Sequence, residues 1–185
     1  GKKTNLVATG RTDKGVHALS QYGHADIDVN ITDKKLKRAL NSNLPEDIHV
    51  IETTVVDNNF HARYNVKEKI YEYKLNLGEY NPIERNYIFQ YNHELDIDSM
   101  KEAIKYFEGE HDFRAFVTDN KEKENCVRKI TYTNIKKDGE ILTFTFKGTG
   151  FLRYQVRNMV GILIRVGEGK LEPKKIIDII ESKIA

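Results

Sequence analysis

Apolar and polar positions along this chain recur with two periods, and the two periods separate strands from helices. Lys69 to Leu77 alternates strictly, with Tyr71, Tyr73 and Leu75 on one face and Glu72 and Lys74 on the other, and is the clearest strand. Leu6-Val7-Ala8 reads as the end of a buried strand, and Ser20 to Val29 as a partly alternating one. Ile48 to Val56 is rich in β-branched residues and predicts another strand. Cys126 to Lys136 and Glu140 to Lys147 bracket Lys137-Asp138-Gly139, a hairpin turn signal. Helical spacing marks Asp33 to Leu44, with Thr32 or Asp33 as its cap and Pro45 just past its end. It also marks Ser99 to Phe107, stopped by Gly109, and Phe151 to Val166, opened by Gly148-Thr149-Gly150. Pro173 opens a last helix over Lys174 to Ile184, and Gly78 to Arg85 reads as a loop.

Mixed strands and helices with one firm hairpin predict an α+β fold, helices packed on a largely antiparallel sheet. A boundary near Tyr64 to Lys69 divides the chain into lobes at 1–66 and 67–185. The 185 residues are 39% apolar and 31% charged, enough for a core under a well-solvated surface. No apolar run approaches membrane-spanning length. Cys126 is the only cysteine, which excludes an intrachain disulfide and a cysteine metal site. A cytoplasmic protein without structural metal is the expectation.

Net charge is only +2, but its distribution is uneven. Acidic residues outnumber basic ones ten to five from His93 to Glu124, while Lys147 to Lys175 holds seven basic residues and two acidic. Positive charge clustered near aromatics is one footprint of nucleic-acid binding, and ordinary surface charge is the plain alternative.

The most chemically loaded segment is Gly10-Arg11-Thr12-Asp13-Lys14-Gly15-Val16-His17-Ala18. Asp-x-Gly alone is turn chemistry, with glycine supplying a positive φ. Here Arg11 and Lys14 bracket Asp13, which keeps a carboxylate ionised, and Val16 and Ala18 are expected to anchor the segment in apolar surroundings. An ionised carboxylate serves as nucleophile or base. His17 reads as structural.

Two further elements join it. In the predicted helix Leu152, Val156, Met159, Val160 and Leu163 form one apolar face, while Arg153, Arg157, Gly161 and Arg165 recur every four residues beside it. A mid-helix glycine costs roughly 1 kcal/mol against alanine. Gly161 therefore predicts a backbone passing close by, for which the Asp13 loop is the candidate, with Arg157 bonded to the carboxylate. Tyr71 and Tyr73 share a strand face; such tyrosines are mostly sheet packing, and alternatively one stacks on an extruded base. The histidines show no metal-ligand spacing, and no phosphate-binding glycine loop occurs.

The nine-residue Asp13 segment resembles the catalytic loop of the tRNA pseudouridine synthase A family. Phe60-His61-Ala62-Arg63, Tyr71-Glu72-Tyr73, His111-Asp112-Phe113-Arg114-Ala115-Phe116 and Phe151 to Gly161 resemble that family in the same order. The nine-residue loop is highly specific and Val156-Arg157-Asn158-Met159-Val160-Gly161 moderately so. The resemblance implies two ferredoxin-like lobes sharing a sheet, with Asp13 catalytic, Arg11 entering the RNA helix in place of a flipped uridine and Tyr71 stacking on that base. It implies that Arg157 pairs with Asp13, and Lys14, Arg153 and Arg165 are candidate RNA contacts. Lys14 departs from the alanine expected in most bacterial members, and Glu68-Lys69-Ile70 is less basic than the usual lead-in to the tyrosines. The family carries a strand and helix upstream of the loop, so the chain reads as a fragment.

The implied reaction isomerises uridine to pseudouridine at positions 38, 39 and 40 of the tRNA anticodon stem-loop, by a homodimer, without cofactor or metal. The alternative is a non-catalytic or truncated tRNA-binding module of the same fold.

Overall fold

The computed structural model describes residues 3–117 and 125–183. The chain forms two compact units, one of residues 1–11 and 18–66, the other of residues 12–17 and 67–185. It is α+β.

In the first unit β1 (Val7–Ala8) pairs antiparallel with β2 (Gly23–His24), and helix α1 spans Asp33–Asn41 behind Thr32. Two expected strands shrink here. Of Ser20 to Val29 only Gly23 and His24 join a ladder, and Ile48 to Val56 is not a strand. One pairing need in that segment is met by a side chain: the Asn41 amide donates to the Val50 carbonyl at 3.0 Å and its oxygen accepts the Val50 N–H at 2.7 Å. β-branched composition favours a strand only where a neighbour offers a ladder.

The second unit is built on a five-stranded sheet of order β4-β3-β7-β6-β5, comprising β3 (Lys69–Asn76), β4 (Phe89–Gln90), β5 (Gly109–Asp112), β6 (Val127–Asp138) and β7 (Ile141–Gly148). All neighbours are antiparallel except the β3–β4 pair. Among the described residues the strands thus pair in a two-stranded and a five-stranded sheet. The β6–β7 hairpin forms as predicted, with Gly139 at φ +55 in its turn.

Alternation along β3 places Tyr71, Tyr73 and Leu75 opposite Phe146, Phe144 and Leu142 of β7, and this face carries the core. Phe107, Phe113, Phe116, Met100, Ile104, Met159 and Leu163 are buried with it. The register of β6 shifts between Ile130 and Tyr132, a bulge at Thr131, whose hydroxyl meets the Lys147 carbonyl at 3.2 Å.

Helix α2 (Ile97–Lys105) starts two residues before the predicted Ser99, because Asp96 caps it by accepting the Ser99 N–H at 3.0 Å. Gly109, at φ +112, opens β5. Helix α3 (Gln155–Gly167) starts four residues later than predicted. Tyr154 before it lies at φ +61, a left-handed conformation that interrupts the helical path. The buried Gln155 side chain closes the gap by accepting the Leu152 N–H at 2.8 Å. Its apolar face is as expected, with Met159, Val160 and Leu163 buried. Helix α4 (Lys175–Ser182) buries Ile176 and Ile180; the predicted end at Ile184 lies outside the described residues.

Candidate active site around Asp13

Residues 12–17 group with the second unit, and two contacts hold them there. The Val16 N–H donates to the Asp13 carbonyl at 3.1 Å, closing a turn whose third residue, Gly15, sits at φ +84. That sign is what a type II turn demands, and glycine adopts it without steric cost. The His17 ring then bonds the Asn86 carbonyl at 3.2 Å and packs at a tilt against the Tyr87 ring, centroids 4.5 Å apart. Anchoring therefore falls to His17; Val16 and Ala18, expected to do it, are exposed. Asp13 is half-buried and Lys14 exposed in this turn, while Arg11 is exposed and groups with the first unit.

Tyr71 is half-buried on the core face of β3, its ring edge-on to Phe151 at 5.0 Å. Burial raises its phenol above the ordinary value, and the Asp13 carboxylate adds to the shift. Asp13 and the Tyr71 hydroxyl are thus electrostatic neighbours. Two residues along the same face, burial also raises the Tyr73 phenol, and the Arg157 guanidinium opposes it. Carboxylate and guanidinium thus act in opposite senses on successive tyrosines of one strand face.

Asp13 and Arg157 are not joined by an ion pair within 4.0 Å among the described residues, contrary to the expectation drawn from Gly161. Arg157 instead stands over the Tyr154 ring at 5.4 Å. A side chain at Gly161 would meet nothing within 4 Å, so among the described residues no backbone crosses the helix there. Gly161 instead lines an open groove of about 330 Å³ with Arg157, Asn158 and Ile162, facing Ala115, Phe116 and Val117. The close approach occurs one residue past the predicted helix end. A Cβ on Gly167 would lie 2.5 Å from the Met100 sulfur and 3.1 Å from Leu95.

Arg153 and Arg165 are exposed on α3 or just before it. Arg153 lies over the Tyr154 ring at 4.7 Å and donates to its hydroxyl at 2.9 Å. Tyr154 and Phe151 are not singled out by the sequence as site residues. Phe151 carried a usable signal, an aromatic directly after Gly-Thr-Gly, whereas nothing in the residue type announces a left-handed tyrosine. Among the described residues no group of three His, Cys, Asp or Glu could hold a metal ion, and no helix is long and apolar enough to cross a membrane.

A carboxylate in a glycine turn beside half-buried tyrosines, with arginines at a helix start, suits a base- or sugar-directed reaction on RNA. Residues 103–184 match the family described as tRNA pseudouridine synthase. Proteins named tRNA pseudouridine synthase A are similar along nearly the whole chain. That of Pseudothermotoga lettingae is 43% identical over 179 residues, covering 96% of this chain and 73% of the relative. Those of Streptococcus pneumoniae and a Bacillus species are 41% and 42% identical over 186 and 184 residues, each covering 99% of this chain and 75% of the relative. The chain belongs to the tRNA pseudouridine synthase A family, and it spans about three quarters of the length of these relatives.

Proposed function

We propose that this protein is an isomerase that converts uridine to pseudouridine in tRNA, with Asp13 as the catalytic carboxylate. The single observation that carries the assignment of Asp13 is its half-buried place in a turn fixed by Gly15 and His17, in the unit that also holds Tyr71. The relatives' shared name supports the substrate class.

The reaction breaks the N1–C1′ bond and forms a C5–C1′ bond; C5 gives up its proton and N1 gains one. No electrons are transferred between molecules, and no group leaves. Three routes suit one carboxylate: attack on C1′, attack on C6, or removal of the 2′ proton. Each requires the uridine to leave its stack. Tyr71 is the platform for the extruded ring, and Arg11 fills the vacated position. Arg157, beside the site, meets the phosphates of the RNA together with Lys14, Arg153 and Arg165. Phe151 and the Tyr71 ring limit water around the detached uracil. The substrate is the anticodon stem-loop at positions 38, 39 and 40, and the working form is a cytoplasmic homodimer. The chain divides functionally at 1–66 and 67–185, the latter being the catalytic lobe.

Tritium release from tRNA carrying 5-tritiated uridine tests the assignment. Asp13→Ala is expected to abolish release while tRNA binding persists. Normal release by that variant would sink the catalytic role of Asp13. Binding without release by the unaltered protein would instead favour a non-catalytic tRNA-binding module.

A further inference from the structure

Tyr154 is the least comfortable residue near the site. Its φ of +61 is uncommon for any side-chain-bearing residue and rarer for a bulky one. Such strain persists only where the surroundings impose it, and it concentrates at functional positions. The conformation has a local consequence. Two guanidinium groups from opposite sides in sequence, Arg153 and Arg157, gather over one phenol ring at 4.7 and 5.4 Å. The ring hydroxyl is tied to Arg153 at 2.9 Å. Arg157 reaches from this platform to the electrostatic neighbourhood of Tyr73, on the strand face that also holds Tyr71. Both arginines are exposed.

Two like charges over one ring repel each other. The ring's negative face offsets part of that repulsion, and its rigidity replaces the rotational freedom of two long side chains. We propose that Tyr154 is a positioning residue, a platform that holds Arg153 and Arg157 ready for the phosphates of the RNA strand entering beside Tyr71. This inference rests on the tRNA-isomerase reading above. It adds a residue that contacts neither the reacting uracil nor the sugar and acts only through the two arginines.

Tyr154→Gly and Tyr154→Phe separate ring from backbone. Glycine accepts the positive φ and so keeps the start of α3, but it removes the platform. Phenylalanine keeps the platform and loses only the hydroxyl. The measurements are titration with an unmodified tRNA transcript, steady-state tritium release, and NMR shifts of the Arg157 side chain in the free protein. Tyr154→Gly is expected to bind tRNA about tenfold more weakly and to raise KM similarly, with kcat within about twofold, as loss of one to two cation–π contacts implies. The ring-current shift of the Arg157 side-chain protons disappears in it. Tyr154→Phe stays within about twofold of the unaltered protein. In an Arg153→Ala, Arg157→Ala background the Tyr154→Gly loss shrinks below about twofold.

Unchanged tRNA affinity in Tyr154→Gly overturns the proposal. So does a fall in kcat at unchanged KM, which a merely structural helix start would produce. If the unaltered protein binds tRNA but releases no tritium, the isomerase reading fails, while the affinities and NMR shifts still decide the platform.

Discussion

The position of Asp13 is set by its neighbours in the turn. Gly15 at φ +84 faces open space, so an alanine there meets no clash, only the left-handed backbone cost of about 1–2 kcal/mol. The turn can relax that cost by moving Asp13. Gly15→Ala is therefore expected to lower tritium release about tenfold while the thermal midpoint shifts by only a few degrees, since the core is untouched. Full activity in that variant would show that the turn does not set the carboxylate. At this scale the sequence was informative about residue type and poor about partners. Asp13, its glycine and Tyr71 were legible because turn chemistry and strand alternation are local. The Tyr154 ring under two arginines was not, because it depends on a backbone angle that tyrosine seldom adopts. Helix spacing points to Asp13 as the partner of Arg157, which is found over Tyr154.

Glycines in and beside α3 illustrate how an element conceals its packing. Gly161 lies inside the predicted helix, so helix cost alone points to it as the place of close approach, while Gly167 follows the predicted end. Space decides the reverse. Gly161→Ala is expected to raise stability by about 1 kcal/mol, because helix propensity improves and nothing lies within 4 Å. Gly167→Ala is expected to lower it by about 1–3 kcal/mol, because the new methyl meets the Met100 sulfur and Leu95 in a filled core. Chemical denaturation of both variants checks the opposite signs. A loss of tRNA turnover in Gly161→Ala despite its added stability would place RNA in the groove beside Arg157. Element existence was legible for β3, the β6–β7 hairpin, α2 and α3, whose periodicity reports their own buried faces. Ile48 to Val56 failed because a strand is a property of two segments, and the Asn41 side chain supplies only one residue's worth of pairing.

Across the whole molecule, burial is concentrated in the second unit. Ala62 is the only apolar residue of the first unit among the described residues that are buried, while Leu19, Val55 and Val29 stand 89%, 85% and 67% exposed. Local opening energy follows buried apolar contact. Amide exchange is therefore expected to be slowest in β3, β6, β7 and α3, and orders of magnitude faster over residues 18–66. Equal protection in both units would contradict this. The basic stretch is also less uniform than its count implied. Lys147, Lys170 and Lys175 are engaged by Glu68, Glu168 and Asp178 at 2.7, 3.0 and 2.9 Å. Arg157 and Arg165 present exposed charge on α3. The α+β class was legible because element types alternate. The separation of strands into two sheets was not, since short ladders leave almost no pattern.

The bulge at Thr131 has a consequence that is a matter of parity. Ile130 and Thr133 both point into the core, yet an odd number of steps separates them, and a regular strand would send them to opposite faces. The additional residue works like a frameshift in a code of period two. It lets one continuous strand satisfy β7 in one frame and β5 in the other. Deleting Thr131 would leave Ile130 and Thr133 two steps apart, so a regular ladder would keep both in the core, whereas deleting two residues there would turn Ile130 and the whole β5 attachment inside out.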